Sequence, residues 1–215
     1  MNMMKKKVGR PRILERQNII DIAFNEYWEK GIFNVSISRI AKLANVSRPG
    51  IYKEFGDEDN LTAEVLNRYV RLSADPCHKN YFDYKNYPNH LFNHFDAIIN
   101  DGNKNLTEDP AYLNIKRPKK AIGCLMERTR LNSNLLGPKT KDLMKKYTQY
   151  RKKCFQEYIR NAQADKKIKK HLNPEFLSEY ILAQFNILQI NRLNRLNKSK
   201  IEQILNLALS PILTK

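Results

Sequence analysis

Apolar residues recur at helical spacing almost everywhere in this chain, and the places where the phase breaks divide it into elements. Ile20, Ala23, Phe24, Tyr27 and Trp28 form one stripe with Gly31 as a C-terminal stop, which predicts a helix within residues 13–30 and puts Trp28 in the core. In ISRIAKLANVSRPGIYKEF, residues 37–55, the apolar positions Ile37, Ile40, Ala41 and Ala44 break phase and resume at Ile51 and Phe55. Two short helices crossing over a shared core require such a break, the pattern of a helix-turn-helix. Asn45 stands at the reversal, and Asn is among the few residues besides Gly that tolerate a left-handed backbone. Val46 would fill the corner. Ser36 and Ser47 are placed to cap the two helices, and Pro49 falls in a first turn whose N–H groups are unpaired in any case.

After Phe55 the sequence GDEDNL reads as a turn and an acidic first turn, from which Leu61, Val65, Leu66 and Tyr69 carry a helix to about Leu72. Residues 73–88 and 102–120 are rich in turn formers and read as loops or broken helix. Between them, Leu91, Phe92, Phe95, Ile98 and Ile99 make the apolar side of a helix. A short helix is predicted over 121–137 and a long one over 139–164, with Leu143, Tyr147, Tyr150, Cys154, Phe155 and Ile159 in phase. Asn173 and Pro174 open a helix that is apolar nearly all round, and Ile201, Ile204, Leu205, Ala208, Leu209 and Ile212 mark a last one from Ser199. Alternating strand patterns are hard to find, so the fold class is all-α, with residues 1–12 as a basic arm, 13–57 as the helix-turn-helix unit and 58–215 as a larger helical domain.

Charge changes the picture most. Lys and Arg number 39 against 22 Asp and Glu, a formal net charge of +17, which favours a polyanionic partner because neutralising phosphates releases counterions. A membrane surface is the competing polyanion, but no apolar run approaches the roughly 20 residues needed to span, and the lysine-rich N-terminus lacks the apolar segment of a secretory signal. A cytoplasmic protein without a membrane partner is expected. Cys77, Cys124 and Cys154 are too few and too scattered for a disulfide frame or a zinc site, and the pairs Cys77/His78 and His90/His94 lack further ligands, so no metal and no cofactor are expected. No nucleophile with a base, paired carboxylates or phosphate-cradling glycine loop points to an enzyme.

A helix-turn-helix lays its second helix in the DNA major groove. Arg48, Gly50, Tyr52 and Lys53 fall on the outward side of that helix. Arg48 can donate two parallel hydrogen bonds to guanine, worth roughly 1–3 kcal/mol of discrimination, whereas Tyr52 and Lys53 suit phosphates, which set register but carry no sequence. A side chain in place of Gly50 would hold the helix off the groove. The arm MNMMKKKVGRPR can follow phosphates or enter a minor groove, or serve as a solubilising tail.

GRPR, the helix II-DIAF-EYWEKGI, VSISRIAKLANVSRPGIYKEFGDEDNL and the helix after it together resemble the DNA-binding domain of TetR-family transcriptional regulators, over about the first 72 residues. The resemblance implies three small helices for DNA followed by a ligand-binding and dimerising helical domain. It further implies that Arg48, Pro49 and Gly50 face bases while Tyr52 and Lys53 contact phosphate, so that the DNA-binding set is Ser36, Ser47, Arg48, Pro49, Gly50, Tyr52 and Lys53. Where the family commonly carries a lysine at the start of its fourth helix, this chain has Glu58. Gly-Cys-Leu at 123–125 resembles a segment of one branch of the same family.

In the second domain Phe92, Phe95, Cys124, Arg128 and Tyr147 are the candidate ligand-binding residues. Cys124 and Arg128 would share a helix face, and a cation near a thiol lowers its pKa, which admits a redox or electrophile sensor beside an inert buried cysteine. Lys141, Lys145, Lys146, Arg151, Lys152 and Lys153 line one side of the long helix as a solvated face, an anion site or a second nucleic-acid contact. The last two helices carry more apolar surface than one chain covers, so a homodimer through a four-helix interface is expected, its two heads reading a palindromic double-stranded operator. The resulting expectation is a dimeric regulator, a repressor released by a small-molecule effector, with a structural nucleic-acid-binding protein lacking an effector as the alternative.

Overall fold

The structure, a computed structural model, describes residues 16–75, 89–100 and 116–212. The basic arm, Cys77, His78 and most of the two expected loops lie outside the described residues. Among the described residues the fold is all-α: α1 Arg16–Lys30, α2 Ile37–Ala44, α3 Arg48–Phe55, α4 Glu58–Tyr69, α5 Asn89–Ile99, α6 Leu125–Arg130, α7 Pro138–Ala164, α8 Pro174–Leu193 and α9 Lys198–Leu209. Val70–Ala74 prolongs α4 as a wider π-helical turn.

α1 packs on α2 and α4, and α3 closes the head against α2 and α4. Ile19, Phe24 and Trp28 of α1 meet Ile40 of α2, Ile51 of α3 and Leu61 of α4 in one core, and all of these are within 2% of full burial. That core does not stop at residue 57. It continues through Tyr69 and Leu72 into Leu125 and Met126 of α6 and Met144 and Tyr147 of α7. Trp28 is the pivot, its ring edge-on to both Phe24 and Tyr69 and its indole N–H donating to the Gly123 carbonyl at 3.0 Å.

A second core lies between α5, the far half of α7, α8 and α9. Phe185 is central to it, stacked on Phe95 at 4.3 Å and edge-on to His94 and Phe155. α8 is not apolar all round in its environment. Phe176, Ile187 and Ile190, with Ala183, make an exposed stripe on one face of α8, and α9 adds exposed Ile204 and Leu207, the latter at 76%.

Candidate nucleic-acid interface

Three local devices fix the helix-turn-helix. The Ser36 hydroxyl accepts from the Arg39 N–H at 3.3 Å and the Ser47 hydroxyl from the Gly50 N–H at 3.1 Å, so each serine satisfies a donor that its helix leaves open. Asn45 adopts φ 55°, ψ 42°. This lets its own N–H reach the Lys42 carbonyl and the Val46 N–H the Ala41 carbonyl, closing α2 in a Schellman turn.

Ile51 and Phe55 bury the inner side of α3, which leaves Arg48, Pro49 and Lys53 exposed and Gly50 and Tyr52 half-buried. The helix is braced from α1 and α4: Arg16 lies 4.4 Å over the Phe55 ring and pairs with Glu54 and Glu64. Glu26 of α1 takes Arg39 and Lys30, and the Arg39 bond foremost holds its carboxyl below the usual carboxylate range.

At the outer face, Arg48 Nη2 donates to the Tyr52 hydroxyl at 3.1 Å, and that hydroxyl donates to Glu58 Oε1 at 2.8 Å. The Tyr52 bond is also the main reason the Arg48 guanidinium holds its proton more tightly than usual. Each acid of the GDED turn has its own direction. Asp57 caps α4 by accepting from the Asn60 N–H at 2.7 Å, Glu58 turns to Tyr52, and Asp59 turns away toward α7.

The model of the bacterial regulatory proteins of the tetR family matches residues 19–65, which span most of α1, all of α2 and α3 and most of α4. Over these residues the chain matches the TetR family, whose members are DNA-binding transcriptional regulators and not enzymes. It is 25% identical to the HTH-type transcriptional repressor ComR of Escherichia coli (strain K12) over 94% of this chain and 90% of that protein. Among solved structures, a transcriptional regulator from Saccharomonospora viridis in complex with choline is similar with a TM-score of 0.70 at 19% identity, over 93% of this chain and 98% of that one. A cysteine mutant of the TetR family regulator CifR, complexed with 26 bp operator DNA, is similar with a TM-score of 0.68 at 18% identity, over 95% and 100%.

The candidate ligand residues fall into two places. Phe92 and Phe95 belong to the second core, Cys124 and Tyr147 to the first. The expected helix face shared by Cys124 and Arg128 is not formed. Cys124 precedes α6 in extended conformation at φ −92°, because Gly123 before it takes φ +64° and breaks the helical path. Arg128 donates to the Trp28 carbonyl at 2.7 Å instead, while the Tyr69 hydroxyl donates to the Cys124 sulfur at 3.2 Å. Burial, with Glu127 next, raises the Cys124 thiol above its ordinary pKa, the opposite of what a neighbouring cation would do.

The basic side of α7 also divides. Arg151 is buried and pairs with buried Glu127, which Arg130 holds from the other side at 2.7 Å. Lys152 pairs with Glu175 and Glu179 of α8, and Lys146 with Asp142, while Lys141, Lys145 and Lys153 are exposed. Sequence reasoning missed the buried pair because an arginine within RKK looks like part of a solvated run. It also missed the partner of Glu58, a residue it noticed only as an absent lysine.

Proposed function

We propose that the chain is a dimeric, ligand-responsive repressor acting in the cytoplasm, each α3 reading half of a palindromic operator in the major groove. The observation that carries this reading is the position of Arg48, exposed at the start of a capped and braced α3 with Gly50 beside it to allow close approach. In this reading Arg48, Pro49 and Gly50 meet base edges, Lys53 meets phosphate, and Ser36 and Ser47 hold the helix starts against the backbone. The similarity to a repressor and to a regulator solved on operator DNA supports the same direction.

The exposed apolar stripe of α8 and α9 supports a twofold partner. For the effector, the choline complex of a similar fold supports a small-molecule site in the helical domain. Phe92 and Phe95 on one side and Cys124 and Tyr147 on the other would contribute, about Arg151, whose guanidinium lies 4.7 Å over the Phe185 ring. Arg128, bonded to the Trp28 carbonyl, would pass a shift there to α1. A ligand acts by fitting one head spacing better than the other and lowers DNA affinity by that difference. Thiol sensing through Cys124 has less support, since its surroundings raise the thiol pKa. The test is selection of bound duplexes from a random pool with and without candidate metabolites. A palindromic consensus whose binding one compound weakens is the expected result; an absence of any consensus would count against the reading.

A further inference from the structure

We propose that Glu58 is a specificity-determining residue for DNA reading: through Tyr52 it fixes the Arg48 guanidinium for a base edge and withdraws Tyr52 from the phosphate-binding set. This rests on the reading of α3 given above. A phenol has one proton to donate, and a carboxylate only accepts. The Tyr52 hydroxyl lies 2.8 Å from Glu58 Oε1, so its proton goes there, and its oxygen then accepts from Arg48 Nη2 at 3.1 Å. No proton of Tyr52 remains for a phosphate oxygen while this chain of bonds stands.

Arg48 loses little by the arrangement. A guanidinium has five N–H groups, and giving one to Tyr52 leaves four, enough for the two parallel bonds that guanine accepts. The Arg48 guanidinium also lies 5.4 Å from the centre of the Tyr52 ring, so ring and hydroxyl together confine it. A side chain ordered before binding gives up less rotamer freedom on binding. Glu58 is itself held in place, since Asp57 caps α4 on one side of it and Asp59 is bonded into α7 on the other. The carboxylate at this position also faces the phosphate backbone with the wrong sign, so it exchanges general affinity for selectivity.

The experiment compares the full-length protein with Glu58→Ala, Glu58→Gln, Tyr52→Phe and Arg48→Ala in binding-site selection and in titrations against a consensus and a scrambled duplex. Glu58→Ala and Tyr52→Phe are expected to lower the ratio of consensus to scrambled affinity by roughly threefold to tenfold, part of what one bidentate contact supplies. Their double variant falls no further than either alone, as residues acting in series require. Glu58→Gln keeps an acceptor oxygen for Tyr52 and is expected to keep the ratio while binding both duplexes more tightly. If Glu58→Ala does not fold, Tyr52→Phe carries the same comparison. An unchanged ratio in both Glu58→Ala and Tyr52→Phe, or uniform weakening of all sequences by Tyr52→Phe, overturns the proposal. If Arg48→Ala also leaves the ratio unchanged, the reading of α3 itself has failed.

Discussion

The carboxylate of Asp59, in the first turn of α4, accepts the backbone N–H of Thr140 in the first turn of α7, at 3.1 Å across 81 residues of sequence. It takes the Lys139 N–H as well, at 2.7 Å, so α4 supplies the N-terminal cap that α7 lacks from its own residues. Gly137 makes the approach possible: a Cβ there would lie 2.3 Å from Asp59 Cγ. Asp59→Ala is expected to lower stability by about 0.5–2 kcal/mol, the range for loss of a cap, and Gly137→Ala to do the same by pushing Asp59 off α7. Urea denaturation of the three proteins checks this.

The same contact has a pH signature. Burial tends to raise the Asp59 carboxyl, but the bonds from Thr140 and Lys139 outweigh it and leave it below the ordinary carboxylate value. The folded state therefore binds this proton less readily than the unfolded chain. The stabilisation is full above an unfolded pKa of about 3.9 and is lost as pH falls through the lower folded value. The stability gap between wild type and Asp59→Ala should be constant near neutrality and narrow below about pH 4. A gap that widens on acidification would contradict the assignment.

Buried Glu127 depends on Arg151. Arg151→Met leaves a carboxylate at 2% exposure with Arg130 alone, and breaking a buried pair from one side costs on the order of 3–5 kcal/mol. Replacing both, as Glu127→Leu with Arg151→Met, should recover much of that loss, because no buried charge is left unpaired on either side. Thermal unfolding of the single and double variants distinguishes a coupled pair from two independent losses.

What could be read in the sequence was what depends on neighbours along the chain. Ser36, Asn45 and Ser47 act through bonds to residues three to five positions away, so their roles follow from residue type and phase alone. The helix expected over 121–137 begins only at Leu125 because the left-handed Gly123 fixes Cys124 outside it, and the glycine beside the cysteine was the available signal. Asp59 on Thr140, Arg151 on Glu127 and Tyr52 between Arg48 and Glu58 were not legible, since each acidic or basic group could equally have faced water. Burial, which decides such cases, is a property of the packed molecule.

Cys124 illustrates the consequence for reactivity. Its thiol is raised by burial and Glu127, so the thiolate fraction is small, and alkylation at pH 8 should be slower in the folded protein than in the same chain in urea. Labelling followed by mass spectrometry measures both rates. A faster native rate would return the thiol-sensor reading to consideration.

The exposed stripe on α8 and α9 predicts the oligomeric state. Ile187→Asp with Leu207→Asp places two charges on it without touching either core, and should convert a dimer at micromolar concentration into a monomer. Sedimentation equilibrium reads the mass directly. A monomeric wild type would remove the twofold operator from the account.

The most direct measurement is binding-site selection from a random duplex pool with wild type, Arg48→Ala and Lys53→Ala. Arg48→Ala should erase preference at one position of each half-site, by roughly 1–3 kcal/mol. Lys53→Ala should weaken every sequence alike and reduce the salt dependence by about one counterion per head. Equal behaviour of the two variants, with the wild-type consensus retained in both, would contradict the assignment of base reading to Arg48.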